Sequence, residues 1–163
     1  MSSIHTAFVA LGSNQGDRAR HLLTAEALIE ARVGRIVARS SVYETDAWGN
    51  TKQPAFFNQV IQVFTDLPPA DTLRALLEIE TYMGRVRTKK WGPRIIDLDL
   101  LYYDRLQLDE TGLQLPHPAL HQRNFVLVPL LEIAPDWEHP TLGQTTEELF
   151  IACRDMGEIR RLD

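Results

Sequence analysis

Hydrophobic positions recur along the first half of the chain with two different periods, which predicts alternating strands and helices. Short runs rich in β-branched and aromatic residues, typical of strands, occupy residues 5–12, 35–45 and 55–65. Residues 17–34 and 68–84 instead have apolar positions three and four apart, as on one face of a helix, and both stretches end at a glycine. The chain is therefore predicted to begin β-α-β-β-α.

A further strand lies within residues 89–104, KKWGPRIIDLDLLYYD. Because strand side chains alternate between faces, one face is predicted to hold Ile96, Leu98, Leu100 and Tyr102, and the other Ile95, Asp97, Asp99, Leu101 and Tyr103. The complete order, βαββαβ, predicts an α+β fold of the ferredoxin-like type, with an antiparallel sheet and two helices on one face.

The C-terminal part adds less regular elements to this unit. The sequence predicts a hairpin around residues 102–109, a loop over 114–124, a short apolar helix over 125–134 and an edge strand within 157–163. No repeat, low-complexity tract or linker divides the 163 residues. We therefore expect a single domain over residues 1–163.

Composition excludes several classes of protein. The formal net charge of −5 argues against a nucleic-acid-binding protein held by bulk electrostatics. The one cysteine, Cys153, cannot form an internal disulfide and is expected to pack in the core. No apolar run reaches the roughly 20 residues of a membrane span, and the N-terminal residues lack a signal-peptide pattern. These features predict a soluble cytoplasmic protein.

Asp97 and Asp99 are the first candidates for chemistry, because both carboxylates are predicted on one face of an otherwise apolar strand. Alternate Cα atoms of a strand lie roughly 6.5 to 7 Å apart, so the two side chains can converge on one or two hard cations. A metal would offset the cost of burying the charge. Two alternatives remain at this point: a solvated strand face, or pairing with nearby arginines.

Positive charge is concentrated just before this acidic pair. Within ten positions the loop contains Arg85, Arg87, Lys89, Lys90 and Arg94, with no acid among them. Cations beside paired carboxylates suit a polyphosphate bridged to the carboxylates by Mg²⁺. A solvated charge run or an RNA-contacting loop is the alternative for the loop alone.

Other nucleotide-binding signals are weak. Neither a P-loop nor a dinucleotide-binding glycine motif occurs, and the glycine-containing stretch 12–18, GSNQGDR, is expected to form a tight turn between strand and helix. Glu80 occupies the apolar stripe of the second helix. We expect it at the hydrated margin of that stripe, the alternative being a carboxylate that orders the arginine loop.

Five stretches of the chain together resemble one enzyme family. LGSN, SSVYET, QPAFFNQV, GRVR followed by WGPRIIDLDLL, and LPHPALHQRNFVLVPLLEIAP are similar to segments of 6-hydroxymethyl-7,8-dihydropterin pyrophosphokinases of folate biosynthesis. The resemblance implies the ferredoxin-like fold. It also implies transfer of the β,γ-pyrophosphoryl group of MgATP to the hydroxymethyl oxygen of the pterin, with release of AMP.

The resemblance also implies roles for particular residues. Asp97 and Asp99 would bind two Mg²⁺ ions, one of which also touches the substrate hydroxyl, and Arg85 and Arg94 would act with them on the phosphates. Further ATP contacts are implied for Arg87, Trp91, Leu100, His117 and Arg123. Pterin contacts are implied for Thr45, Trp48, Phe56, Asn58 and Phe125.

Some positions depart from the family pattern. Pro118 stands where some relatives have a tyrosine, and the basic loop is one residue shorter than in some members, so contacts from Pro118, Lys89 and Lys90 are not carried over. Two other functions stay open: a different Mg²⁺-dependent phosphotransferase or nucleotidyltransferase, and a noncatalytic RNA-binding module. The expected partners are ATP and the pterin, without nucleic acid or membrane, and the expected state is a monomer.

Overall fold

The computed structural model describes residues 3–46, 53–85 and 94–162. The strands are β1 (His5–Ser13), β2 (Arg35–Arg39), β3 (Tyr43–Thr45), β4 (Phe56–Thr65), β5 (Asp97–Tyr103), β6 (Leu108–Glu110), β7 (Leu113–Leu115) and β8 (Ile159–Arg161). The helices are α1 (Arg18–Arg32), α2 (Pro69–Tyr82), α3 (Asn124–Ile133) and α4 (Thr146–Ala152), with a 3₁₀ turn at Leu120–Gln122. None of these helices has both the length and the apolar character needed to cross a membrane.

The main sheet is antiparallel and has the order β5-β1-β4-β3-β8, with β2 also paired to β4. The predicted βαββαβ order and antiparallel sheet are therefore confirmed. The predicted strand 35–45 is in fact two strands, β2 and β3. Between them, the Ser40 hydroxyl accepts the Val60 N–H at 3.0 Å and donates to the Ser41 carbonyl at 2.7 Å, so side-chain bonds interrupt the regular ladder.

The helices α1 and α2 pack on one face of the sheet, as predicted. Their buried residues join the inward side chains of the strands in one core cluster, which includes Val9, Leu11, Leu22, Ile29, Ile61, Leu76 and Ile79. Helix α1 begins after Asp17, whose carboxylate accepts the Arg20 N–H at 3.2 Å. It ends at Arg32, and at Gly34, just beyond it, a Cβ atom would lie 2.1 Å from the Phe64 carbonyl oxygen, so only glycine permits this close approach.

The opposite face is covered by the C-terminal helices α3 and α4. A second apolar cluster there includes Phe8, Val60, Leu101, Tyr102, Leu127, Leu130 and Leu149. Cys153 packs at its edge and is half-buried. The sheet therefore has an apolar cluster on each of its two faces.

The predicted alternation along β5 is correct only for its first part. The pairing with β1 shifts between Phe8 and Val9, so that Val9 lies opposite Leu100 and Phe8 opposite Tyr102. Such a bulge adds one residue and reverses the alternation beyond it. Tyr102 therefore packs in the C-terminal cluster and Tyr103 in the cluster under α1 and α2, opposite to the prediction. Asp97 and Asp99 precede the bulge and stay on one face.

The C-terminal predictions have mixed outcomes. The apolar helix is confirmed as α3, and the edge strand as β8, which pairs with β3. The hairpin predicted around 102–109 is wrong, because the paired strands are β6 and β7. Asp104 ends β5 with a left-handed conformation (φ 49°), and its carboxylate accepts the Thr6 N–H at 2.8 Å, which diverts the chain before a hairpin can form.

Candidate active site

The candidate site lies where three neighbouring strands end. Gly12 on β1 is paired with Asn58 on β4 at one side and with Asp97 on β5 at the other. Adjacent strands are about 4.8 Å apart, so Asn58 and Asp97 are separated by about 10 Å. A Cβ atom at Gly12 would lie 3.4 Å from Asn58 Oδ1 and 3.6 Å from a Phe56 ring carbon, so glycine keeps the floor between them clear.

At the β5 side, two arginines hold the Asp97 carboxylate. Arg85 Nη1 lies 3.0 Å from Asp97 Oδ1, and Arg94 Nη1 lies 2.9 Å from Asp97 Oδ2. Of the alternatives left open for Asp97, the solvated face is therefore wrong and arginine pairing is present. The same guanidinium groups are donors that can bind phosphate oxygens.

Glu80 on α2 holds Arg85 in this arrangement. The residue is 2% exposed, and its carboxylate accepts the Leu98 N–H at 2.7 Å and lies 3.0 Å from Arg85 Nη1. The expectation of a hydrated position is therefore wrong, because an arginine and a backbone N–H satisfy the buried charge. Glu80 orders the start of the arginine loop, and Arg85, with a side chain only 8% exposed, is fixed between two acids.

The ionised form of Asp99 is disfavoured in this cluster. Burial raises the pKa of its carboxyl to about 7, and the negative charges of Asp97 and Glu80 add to the rise, against the opposing effect of Arg123 and Arg94. A cation placed between Asp97 and Asp99 would relieve the repulsion.

The donor set fits Mg²⁺ better than a transition metal. The two aspartates supply oxygen atoms alone, which suit hard cations such as Mg²⁺, whereas transition metals favour nitrogen and sulfur ligands. Mg²⁺ is commonly held by one or two carboxylates, with water and substrate phosphate completing its octahedron. Asp97 and Asp99 could hold it in this way.

We expect Asp99→Asn to stabilise the metal-free protein at alkaline pH. The folded-state pKa of Asp99 lies above its ordinary value, so ionisation lowers stability as pH rises through the window from about 4 to 7. Asparagine removes that ionisation, which is worth roughly 2 to 4 kcal/mol at pH 8 and little at pH 4. Thermal unfolding in EDTA at both pH values measures the effect. An equal change in Tm at the two pH values, or the same pH dependence in the exposed control Asp136→Asn, would contradict it.

At the β4 side, three of the predicted pterin-contacting residues come together. Asn58 and Thr45 are buried, and Asn58 Nδ2 donates to Thr45 Oγ1 at 2.7 Å. Phe56 is half-buried, lies opposite Thr45 and borders the space above Gly12. Since Nδ2 is occupied by Thr45, Oδ1 is the atom that Asn58 presents towards Gly12.

The remaining predicted residues occupy the C-terminal segments. His117 docks on β5 through its N–H, which donates to the Leu101 carbonyl at 2.9 Å. Burial lowers the pKa of His117, and the charge of Arg123 lowers it further, while Asp97 opposes the shift. The Arg123 guanidinium lies 5.5 Å from the centroid of the Phe125 ring at the start of α3. His117, Arg123 and Asp97 are thus within electrostatic reach of one another.

Other predicted positions contribute less or fall outside the described ranges. The Leu100 side chain is buried in the cluster under α1 and α2, so any contact it makes with ATP has to come from its backbone. Pro118 is exposed. Trp48, Arg87, Lys89, Lys90 and Trp91 lie outside the described residues.

Sequence reasoning missed Asn14, which joins two loop ends. Its N–H donates to the Arg94 carbonyl at 3.0 Å, and its Oδ1 accepts the Arg94 N–H at 2.7 Å. Its Nδ2 donates to Gln53 Oε1 at 3.0 Å and to the Pro54 carbonyl at 3.1 Å. The predicted turn between strand and helix thus binds the protein's own backbone. The signal available in the sequence was a polar amide directly after a buried strand.

Comparison with known proteins agrees with this geometry. Residues 8–135 match the family described as 7,8-dihydro-6-hydroxymethylpterin-pyrophosphokinase. A 2-amino-4-hydroxy-6-hydroxymethyldihydropteridine pyrophosphokinase of Methylorubrum extorquens is 43% identical over 158 residues, covering 96% of this chain and 98% of the relative. The Pseudomonas aeruginosa protein of the same name is 41% identical over 160 residues, 98% of each chain.

Solved structures support the fold independently. A Plasmodium falciparum HPPK-DHPS structure is similar to this chain with a TM-score of 0.75 at 18% identity, over 93% of this chain and 45% of that one. This chain therefore spans less than half of that larger protein. At such low identity the similarity confirms the ferredoxin-like architecture alone.

Proposed function

Because the chain belongs to the 7,8-dihydro-6-hydroxymethylpterin-pyrophosphokinase family, we propose that its two substrates meet above Gly12, between Asn58 and Asp97. The enzyme transfers a pyrophosphoryl group from ATP to hydroxymethyldihydropterin in folate synthesis. The observation that supports the placement is the register of β4, β1 and β5, which sets the buried amide of Asn58 and the carboxylate of Asp97 on either side of one glycine.

The pterin is proposed to bind on the β4 side. Asn58 Oδ1 would accept a hydrogen bond from an N–H of the ring edge, while its Nδ2 stays on Thr45 at 2.7 Å. The Thr45 backbone would contact the same edge. Phe56 and Phe125 would pack against the ring, with Trp48 proposed as a further aromatic contact.

The triphosphate is proposed to bind on the β5 side. Arg85 and Arg94, now within 3.0 Å of Asp97, would turn their planar donor groups to phosphate oxygens. Glu80 would keep Arg85 at the site during this exchange. His117, Arg123, the Leu100 backbone, Arg87 and Trp91 complete the proposed ATP contacts.

Asp97 and Asp99 are proposed to hold two Mg²⁺ ions, and their position two residues apart on β5, with oxygen donors on one face, supports this. Bound there, the ions would neutralise charge at the reacting phosphorus and lower the pKa of the attacking hydroxyl. In the proposed transfer the pterin hydroxymethyl group gives up its proton to water and its oxygen bonds to the β-phosphorus. The bond from the β-phosphorus to the oxygen that bridges it to the α-phosphate breaks, and AMP leaves with that oxygen. Arg85 and Arg94 stabilise the charge that moves to the bridging and terminal oxygens.

Product analysis tests the proposal. We expect AMP and the pterin diphosphate to form only when ATP, Mg²⁺ and the pterin alcohol are all present. ADP, free pyrophosphate or no turnover would instead favour another Mg²⁺-dependent phosphotransferase or a noncatalytic protein. We also propose that residues 1–163 form one domain, since β8 pairs with β3 in the same sheet that contains β1. We expect it to act as a monomer, which light scattering of the active protein would test.

We expect Asn58→Ala to weaken pterin binding roughly 10- to 100-fold, because a ring N–H would lose its buried acceptor. Binding of a non-hydrolysable ATP analogue should change little, since Asn58 lies two strands from Asp97. Calorimetric titration with each ligand measures both effects. Gln62→Ala, an amide deletion on the same strand, is the matched control. Equal losses for the two ligands would refute the division of the site into two sides.

A further inference from the structure

Arg18, the first residue of α1, contacts β3 and β4, the two strands on the proposed pterin side of the candidate site. Its Nη1 donates to Glu44 Oε2 at 3.2 Å and to the Ala55 carbonyl at 2.7 Å. Its guanidinium carbon lies 3.9 Å above the centre of the Phe57 ring. One side chain therefore joins the middle of β3 to the start of β4.

Glu44 is also held from its other side. Arg160 on β8 donates through Nε and Nη2 to Glu44 Oε1, both at 3.3 Å. The two carboxylate oxygens thus have separate arginine partners, one from each neighbouring element. The Arg18 and Glu44 side chains are about three-quarters buried (26% and 25% exposed), so this pair is less screened by solvent than a surface ion pair.

Arg18 acts on the face of the sheet opposite the pterin side. Glu44 pairs in register with Phe57, which packs against the core under α1 and α2. Thr45 pairs with Phe56, and by alternation both point to the other face, as Asn58 does. Arg18 therefore contacts the strand pair β3–β4 on the face covered by α1 and α2, whereas the proposed pterin pocket lies on the opposite face.

The strand pair needs such support because β3 is short. It has three residues, Tyr43–Thr45, and few ladder hydrogen bonds can form along that length. The bond from Arg18 to the Ala55 carbonyl and the ion pair to Glu44 set the distance between the two strands next to Thr45 and Phe56. A small change in that distance would misplace the Thr45 backbone relative to Asn58.

We propose that Arg18 is a positioning residue for pterin binding, acting through Glu44 and Ala55 without touching the substrate. The proposal rests on the proposed function, since it takes the β3–β4 end as the pterin side. Arg18 is the last residue of the stretch 12–18, GSNQGDR, and its side chain is not needed to form the turn between β1 and α1. The proposal gives this side chain a function.

The test compares Arg18→Ala with Arg20→Ala, an exposed arginine two residues further along the same helix. We expect Arg18→Ala to weaken pterin binding, measured by calorimetry, and to raise the pterin KM about tenfold, as loss of one partly buried charged hydrogen-bond set would. Affinity for a non-hydrolysable ATP analogue and kcat at saturating pterin should stay within about twofold. Arg20→Ala should match the wild type in all three quantities.

Two further variants separate positioning from general destabilisation. Arg18→Lys keeps the charge and should recover part of the lost pterin affinity, because an ammonium can still reach Glu44 but lacks the planar fork. Glu44→Gln keeps the size of the side chain and should raise the pterin KM about threefold or more; this variant serves if Arg18→Ala does not fold.

Each outcome decides the matter. Unchanged pterin affinity in Arg18→Ala and Glu44→Gln would overturn the proposal, and so would an equal loss of affinity for pterin and ATP analogue, which indicates general structural damage. If the wild-type protein bound no pterin, the proposed function would fail first and this proposal with it. Pterin binding by the wild type with no effect of Arg18→Ala would reject the positioning role alone.

Discussion

Asp97→Ala and Asp99→Ala are each expected to abolish pyrophosphoryl transfer while the fold persists. Both carboxylates lie near the strand end, outside the two apolar clusters, and Arg85, which also pairs with Glu80 at 3.0 Å, would keep that partner if Asp97 were removed. Loss of a metal ligand removes several kcal/mol of transition-state stabilisation, a decrease of about a thousandfold or more in rate. AMP formation and thermal unfolding, measured together, check both parts of the prediction.

The design separates metal binding from other losses. Asp136→Ala, an exposed substitution of the same kind, should leave the rate unchanged. Raising the Mg²⁺ concentration should recover part of the activity of Asp97→Ala if the weakened step is metal binding. A variant of Asp97 or Asp99 with a near-normal rate at ordinary Mg²⁺ would exclude that residue as a metal ligand.

Arg94→Ala is expected to slow the chemical step by roughly 2 to 4 kcal/mol, about 30- to 1000-fold, and to change ATP affinity much less. The backbone of Arg94 is fixed on both sides by Asn14, at 2.7 and 3.0 Å, so its side chain starts from a defined place next to Asp97. A donor held in this way can stabilise charge in the transition state without first being ordered.

Single-turnover kinetics at saturating ligands measure this effect directly. Arg94→Lys should recover only part of the rate, because lysine keeps the charge but cannot hold two phosphate oxygens in one plane. Arg105→Ala, an exposed arginine after β5, is the control. An unchanged chemical rate with weaker ATP binding would make Arg94 a ground-state anchor and leave the metals as the main catalysts.

Local periodicity was sufficient to predict the sheet, α1 and α2, and the shared face of Asp97 and Asp99. It failed where a single residue altered the backbone. The bulge beside Leu101 has no signal in the apolar pattern, because the residues on both sides of it are hydrophobic. Ser40 divides a continuous β-like run through bonds that its hydroxyl makes with the neighbouring strand.

The hydrogen-bonded supports of the site could not be predicted from local pattern for a different reason. Asn14 bonds to residues 39 to 80 positions away, and Arg18 to residues 26 and 37 positions away. For Glu80 the sequence favoured a hydrated acid at the margin of the apolar stripe, and its correct alternative, a carboxylate that orders the arginine loop, could not be preferred because the arginine partner lies on a loop. Such contacts follow from tertiary proximity, which no window of neighbouring residues contains.

The register of Asn58, Gly12 and Asp97 fixes the distance between the proposed pterin-binding amide and the proposed metal-binding carboxylate. Two strand spacings, about 10 Å, are fixed by backbone hydrogen bonds and do not adjust to the ligand. A pterin alcohol whose ring makes the hydrogen bond to Asn58, but whose hydroxyl-bearing chain is one carbon longer or shorter, would still bind. Its hydroxyl oxygen would lie away from the reacting phosphorus. Reach, more than affinity, would then decide which pterin alcohols react.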